Sequence, residues 1–458
     1  MILCPLHAAA RRWGDAQAID GQGHHLTYVD LDARVSGVCQ QLTKQGVKVA
    51  SHVAYCGDTQ LEALLLLFAC ARLGAVFVPL SGRFPEHQRA ALSAQLALDF
   101  GYFSPELTMP ESVQSLQLLA TEGERVWHLD GSQAATMILT SGSTGTPKAV
   151  LHSTSQHLAA AEGSFDQTPL QRGDRWLLSL PLYHVGGLAI AYRCLLSGAT
   201  MVLPEQSQAD DCLAAQQVSH VSMVATQLQR LLNKTDAASR LSSVNTILLG
   251  GGPIPQVLLT RAAAYPIRVL TSYGMTEMGS QICAGAANER GLSGSLLAGR
   301  QLRIDEQGII EVRGDCRFIG YYQPQGVQYP FDAQGWFRTS DRGRWVEEQI
   351  QILGRSDNMF ISGGENIQPE AIEAVIGRCQ GVQQVVVVAV PCTEYGQRPI
   401  ALIEGDYQLA EINKRLAKKL PRFMHPQGIL PWPAATSADL KVNRQALQAY
   451  AIALWTAQ

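Results

Sequence analysis

The chain has 458 residues, enough for two or three domains with substantial cores. Its residues are 46% hydrophobic and 16% charged, the balance of a globular enzyme, which excludes a disordered or fibrous chain. A formal charge of −3 with no lysine- or arginine-rich block argues against nucleic acid as a partner.

The chain opens Met1-Ile2-Leu3-Cys4 and soon reaches Arg11-Arg12, without the basic-then-apolar order of a secretory signal. Thr27-Tyr28-Val29-Asp30 offers a helix N-cap with an acid three residues on. Leu31, Val35, Val38 and Leu42 then recur at helical spacing, so a helix is expected through Leu42. A strand at 53–55, a helix at 61–73 and a strand at 75–78 ended by Pro79 follow. Strand–helix alternation at this pace predicts parallel sheets of βαβ units, with further strands at 136–139, 176–180, 199–203 and 246–249.

After residue 300 the texture changes. Segments 302–304, 309–313, 344–347 and 349–353 alternate around turn residues, as the strands of a small β-barrel-like subdomain do. A compact α+β segment ends the chain: a helix from Pro369, a strand at 385–390 and a helix at 409–420. The expected fold class is therefore α/β, with a large N-terminal domain of βαβ layers over residues 1–356. A small α+β C-terminal domain over residues 357–458 completes it, with the boundary near Asp357. The apolar stretches 63–71 and 385–390 are too short for a bilayer span of about 20 residues, so no membrane insertion is expected. The ten cysteines form no C-x-x-C pair and no zinc-type cluster. They are expected to be small buried hydrophobes in a reducing, cytoplasmic environment.

Chemistry concentrates first in Thr140-Ser141-Gly142-Ser143-Thr144-Gly145-Thr146-Pro147-Lys148, directly after an expected strand. Glycines let backbone N–H groups turn toward an anion, hydroxyls donate hydrogen bonds, and Lys148 supplies a point charge. The loop differs from the P-loop of GTPases, because Pro147 and Ala149 flank the lysine. Pro181-Leu182-Tyr183-His184-Val185-Gly186-Gly187 puts a histidine between apolar residues and a glycine pair. Gly250-Gly251-Gly252 ends a strand where a flat ligand can approach backbone. Tyr273-Gly274-Met275-Thr276-Glu277 combines an aromatic face, a hydroxyl and a carboxylate, the parts a nucleotide–magnesium site needs. Asp341 and Arg355 add an acid for ribose hydroxyls and a cation for phosphate or ribose.

Taken in this order, these motifs resemble the adenylate-forming superfamily of acyl- and aryl-CoA synthetases, luciferases and peptide-synthetase adenylation domains. The resemblance covers nearly the whole chain. It implies ATP, Mg²⁺ and coenzyme A as small-molecule ligands. Lys148 with the hydroxyls of Thr140, Ser141, Ser143 and Thr144 would hold the β- and γ-phosphates, within the loop that includes Gly142 and Gly145. Glu277 would hold Mg²⁺, Thr276 would contact the α-phosphate, and Tyr273 would stack on adenine beside Gly274. Asp341 and Arg355 would bind ribose. The family's late catalytic lysine matches Lys441, although Leu440 stands where glycine is usual. Ala149 and Ser340 are two further departures from the usual pattern.

The resemblance further implies a mobile C-terminal domain that turns about Asp357. Ser362, Gly363 and Gly364 would then face the thioester tunnel, and His184 would line the acyl pocket. Several stretches, 177–185 and 361–370 among them, look most like aryl-CoA ligases whose acid carries a second carboxylate on its ring. Such a pocket needs a cation away from the nucleotide. Arg193 is the first candidate and Arg230 the second. A homodimer is compatible with the sequence, which does not fix the oligomeric state.

Overall fold

The computed structural model describes residues 1–119, 121–123, 127–140, 147–204, 210–252, 254–433 and 443–456. Two large sheets share one layer of helices. The first is eight-stranded and mixed, with Lys148–Ser153, Ala134–Thr140, Val76–Leu80 and His52–Cys56 adjacent at its centre. The second is thirteen-stranded. Its parallel part runs through Thr246–Leu249, His220–Met223, Arg175–Leu177 and Thr200–Val202, as βαβ alternation demands.

Between the sheets lie the helices Tyr28–Lys44, Leu61–Leu73, Thr154–Glu162 and Val185–Ser197. Tyr28–Lys44 starts as the sequence predicts: Thr27 and Asp30 form a reciprocal capping box. Leu61–Leu73 is apolar around most of its circumference because it is covered on every side, with Leu64, Leu66 and Leu67 fully buried. All ten cysteines are unpaired, and nine are buried. No helix among the described residues is long and apolar enough to cross a membrane.

The antiparallel segments after residue 300 are Arg300–Ile304, Ile309–Gly314, Phe337–Val346 and Gln349–Arg355. They are hydrogen-bonded in series and join the parallel strands through Ser295–Leu296 and Ser280–Ala286, so the ladder is continuous. At the C-terminal end, strands Val382–Cys392, Gly396–Gly405 and Gly428–Pro431 form a separate three-stranded sheet. Side-chain alternation splits its two faces. Val387, Ala389, Ala401 and Ile403 pack with residues of the helices Pro369–Ile376 and Leu409–Lys419. Val386, Val388, Val390, Ile400 and Leu402 pack with Leu447 and Ala451 of Arg444–Thr456.

Several elements differ from expectation, among them the strands Phe337–Val346 and Val382–Cys392, which are longer than the segments 344–347 and 385–390. Pro79 does not end its strand, which runs Val76–Leu80. Its register partner is Tyr55 on one side, while pairing on the other side is at Phe77 with Thr136, so a missing N–H is tolerated there. The strand expected at 176–180 is only Arg175–Leu177, after which the chain turns toward the histidine motif. The phosphate-type loop is followed by the strand Lys148–Ser153, antiparallel to Ala134–Thr140 with Lys148 opposite Thr140. Five of its six residues are buried, so no alternation marked it in the sequence.

Candidate active site

Four neighbouring segments of the thirteen-stranded sheet run parallel and end at one edge. Arg175–Leu177 leads to the histidine motif, and His220–Met223 leads to the helix Ala225–Asn233. Thr246–Leu249 leads to Gly250–Gly252, and Arg268–Met275 leads to the short 3₁₀ turn Thr276–Met278. The carboxyl edge of parallel strands is where open α/β sheets bind ligands, because loops and unpaired backbone groups converge there.

Two glycines fit this edge for steric reasons. A Cβ on Gly274 would lie 1.9 Å from the Ser280 carbonyl oxygen, so the turn into Thr276 closes only around glycine. Gly251 has φ +83°, which lets the chain leave Leu249 and expose Gly251 and Gly252. Gly250 approaches Ser272, whose hydroxyl donates to the Leu249 carbonyl at 3.1 Å.

Lys148 and Glu277, distant in sequence, are brought together by Tyr321. The lysine ammonium sits 5.0 Å from the Tyr321 ring centroid, and the Tyr321 hydroxyl donates to Glu277 Oε1 at 2.8 Å. Tyr321 reaches this position because Gly320–Gln323 pairs with Lys148–Ser153, placing it opposite Val150. Burial, with Glu277 second, raises the Tyr321 pKa, so the hydroxyl remains a donor. No sequence signal singled out Tyr321. At the loop itself, Thr140 and Lys148 are register partners at the two ends. Ser141, Gly142, Ser143, Thr144 and Gly145 lie outside the described residues, as does Lys441.

Asp341 and Arg355 are register partners on adjacent strands, with Arg355 Nη1 3.5 Å from Asp341 Oδ1. Tyr273 donates its hydroxyl to Asp341 Oδ2 at 2.8 Å, and its ring is largely buried. Burial raises the Asp341 pKa above the ordinary carboxylate value, against the opposing pull of the Tyr273 hydroxyl and Arg355. Arg355 also clasps Asp357 through two hydrogen bonds of 2.8 and 2.7 Å, which raise the guanidinium pKa. Just beyond Asp357, Asn358 donates to Glu370 at 2.6 Å, and Gln368 donates back to the Arg355 carbonyl at 2.9 Å.

His184 precedes the first turn of Val185–Ser197 and is half-buried, its ring 4.7 Å from that of Tyr183. Arg193, on the same helix, is only 1% exposed. Arg230 lies on the exposed side of Ala225–Asn233, whose buried residues are Leu228, Gln229, Leu231 and Leu232. Ser362 closes a two-residue hairpin with Glu365. Gly363 and Gly364, at φ +59° and +86°, supply the left-handed positions that such a turn requires.

A magnesium ion fits the donor set. Glu277 offers a carboxylate with one oxygen held by Tyr321, and no cluster of three His, Cys, Asp or Glu exists among the described residues. A lone carboxylate suits a cation that takes its remaining ligands from phosphate and water.

Comparison with known proteins assigns a family. The family model described as "AMP-binding enzyme" matches residues 6–322, and its C-terminal domain model matches residues 371–435. The chain belongs to the AMP-binding enzyme family. Among relatives of this AMP-binding enzyme is a 2-succinylbenzoate–CoA ligase of Haemophilus influenzae, 37% identical and covering 93% of both chains. Another of that name from Escherichia coli is 34% identical over 96% of this chain and 97% of its own. In structure, the chain is similar to wild-type E. coli MenE with a bound m phenylether-linked analogue of OSB-AMS. The TM-score is 0.85 and the identity 33%, covering 98% of this chain and 99% of the other. The o-succinylbenzoate CoA synthetase of Bacillus subtilis, in complex with the acyl-adenylate intermediate OSB-AMP, gives a TM-score of 0.84. Its identity is 25%, with 97% and 98% of the chains covered.

Proposed function

We propose that this protein is an AMP-forming acid–thiol ligase that converts 2-succinylbenzoate to its CoA thioester in menaquinone biosynthesis. One observation carries the reading. Lys148 over the Tyr321 ring and Glu277 on the Tyr321 hydroxyl form one linked group in a chain that covers nearly the full length of 2-succinylbenzoate–CoA ligases.

In the first half-reaction a substrate carboxylate oxygen attacks the α-phosphorus of ATP, the bond to the β-phosphate breaks, and pyrophosphate leaves. Such chemistry is mostly positioning and stabilisation of phosphoryl charge. Lys148 and Thr140, with Ser141, Ser143 and Thr144, hold the departing phosphates. Thr276 donates toward the α-phosphate, and Lys441 offsets the charge that grows there. Asp341 and Arg355 grip the ribose, and Tyr273 and the Gly250–Gly252 turn border the adenine. Magnesium bound at Glu277 would neutralise charge on the phosphate oxygens. Tyr321 fixes the Glu277 carboxylate for that purpose.

In the second half-reaction the coenzyme A thiol attacks the acyl carbonyl, the acyl–phosphate bond breaks and AMP leaves. Residues from 357 onward turn about Asp357 between the two steps, withdrawing Lys441 and bringing Ser362, Gly363 and Gly364 to the thiol path. His184 lines the acyl pocket, and Arg193, with Arg230 as the second candidate, receives the ring carboxylate.

ATP–pyrophosphate exchange across a panel of carboxylic acids, followed by detection of the CoA thioester, tests this reading. Exchange is expected with 2-succinylbenzoate and thioester only when CoA is added. Exchange with a benzoate or fatty acid but not with 2-succinylbenzoate would overturn the substrate, and exchange with no acid would overturn the enzyme.

A further inference from the structure

Arg193 and Arg300 are two buried arginines that meet no acid. Their exposures are 1% and 4%, and neither forms an ion pair among the described residues. Buried charges are ordinarily paired, since an uncompensated one is costly to remove from water. Arg300 spends its donors on backbone carbonyls: Gln281 at 3.1 Å, Ala298 at 2.6 Å and Ala160 at 2.7 Å among them. Arg193 is held differently. Its Nε donates to the Ser164 hydroxyl at 2.9 Å, its Nη2 donates to Gln281 Oε1 at 2.5 Å, and Nη1 donates to nothing among the described residues. Burial, then the nearby Arg300 charge, lowers the Arg193 pKa to about 9.

Gln281 joins the two arginines, its side chain on Arg193 and its carbonyl on Arg300. It is 3% exposed, and with Oε1 turned to the guanidinium its Nε2 is left as a buried donor with no acceptor. The cluster is thus rich in donors and positive charge, and Gln281 Nε2 and Arg193 Nη1 have no acceptor among the described residues. A carboxylate, which only accepts, is the complementary group. Position agrees as well. Gln281 is the register partner of Gly274, one strand spacing of about 5 Å from the segment that leads into Thr276 and Glu277.

We propose that Gln281 is a specificity-determining residue: its Nε2 and Arg193 Nη1 together receive the ring carboxylate of the acyl substrate, while its Oε1 orients the guanidinium. The proposal rests on the 2-succinylbenzoate reading of the pocket. A neutral amide is required at 281, because a carboxylate there would pair with Arg193 and occupy the place of the substrate's own. Ser164 shares the positioning of Arg193, and the fixed charge of Arg300 strengthens the pull on an anion without touching it.

The test uses the full chain with two acids: 2-succinylbenzoate and 4-oxo-4-phenylbutanoate, which has the same acyl chain and no ring carboxylate. In ATP–pyrophosphate exchange the wild type is expected to favour 2-succinylbenzoate at least 100-fold in kcat/KM. Gln281→Glu should raise KM for 2-succinylbenzoate about 100-fold. The loss on the phenyl acid, which has no ring carboxylate, should be much smaller. Equal losses on both acids, or no loss on either, would overturn the role of Gln281. Wild-type protein that uses both acids equally well would also overturn it, whether or not the variant folds. Activity with neither acid would instead refute the parent reading.

Discussion

Replacing Tyr321 with phenylalanine removes one oxygen from the centre of the site and little else. The ring stays beneath the Lys148 ammonium at 5.0 Å and against Phe318 at 4.9 Å between centroids, so packing is retained. What is lost is the 2.8 Å hydrogen bond to Glu277 Oε1. Hydrogen bonds to charged groups contribute about 1.5–3 kcal/mol. Glu277 is half-buried, so water replaces part of the loss and the lower end applies. About 1.5 kcal/mol corresponds to roughly a tenfold fall in kcat/KM. Tyr321→Phe should therefore lower ATP–pyrophosphate exchange about tenfold and raise the magnesium concentration needed for half-maximal rate. Thioester formation from supplied acyl-adenylate should change less than about twofold, because that step releases no pyrophosphate. Folding stability should fall by at most about 1.5 kcal/mol. Exchange within twofold of wild type, or equal loss in both half-reactions, would refute the link between Tyr321 and Glu277.

Three further outcomes are expected. Lys441→Ala should lose about 100-fold or more of adenylation while largely retaining thioesterification of supplied acyl-adenylate; equal loss of both would sink the two-conformation account. Asp341, as the proposed ribose ligand, accepts hydroxyls best when ionised, and burial raises its pKa. Affinity for ATP should therefore be full above that raised pKa and weaken as pH falls through it, above the ordinary carboxylate value of about 3.9. Asp341→Asn should raise KM for ATP about tenfold, the effect of losing one charged hydrogen bond, and flatten the acid limb; an unchanged limb assigns it elsewhere. His152, buried beside His157 with ring centroids 5.1 Å apart, has its pKa lowered by burial to about 3, and His157 is lowered well below its ordinary value. Both stay neutral in the fold but charge in the unfolded chain. The stability they confer is therefore present above about pH 6.5 and is lost as pH falls, at up to about 1.4 kcal/mol per pH unit for each. The urea midpoint should drop between pH 7.5 and 5, and His152→Leu should roughly halve that slope; a midpoint independent of pH in the wild type would refute the assignment.

Much of the frame was legible because its signals are local. The Thr27–Asp30 capping box, the uninterrupted apolar helix Leu61–Leu73 and the strand Thr246–Leu249 each follow from a few adjacent residues. The Tyr273–Glu277 segment and the loop ending in Lys148 were visible for the same reason. Tyr321 and Gln281 were not, since each acquires meaning only from a partner strand: Val150 opposite one, Gly274 opposite the other. Asp341 and Arg355 were both singled out by type. Their direct pairing is a property of sheet register that residue spacing does not encode. Pro79 misled for a related reason, because its usual role as a strand terminator is suspended where one side of the ladder makes no demand on it.

The unbroken ladder of thirteen strands has a further consequence for the life of the intermediate. Tyr273, Asp341 and Arg355 belong to one hydrogen-bonded sheet, and Thr276 and Glu277 follow directly from one of its strands. The residues proposed to grip the nucleotide are thus carried by a single hydrogen-bonded piece. On the proposed two-step mechanism, an acyl-adenylate made on such a piece would stay on it through both half-reactions. On that mechanism, release of a labile mixed anhydride to water between the two steps would be resisted by architecture, before any single side chain is considered.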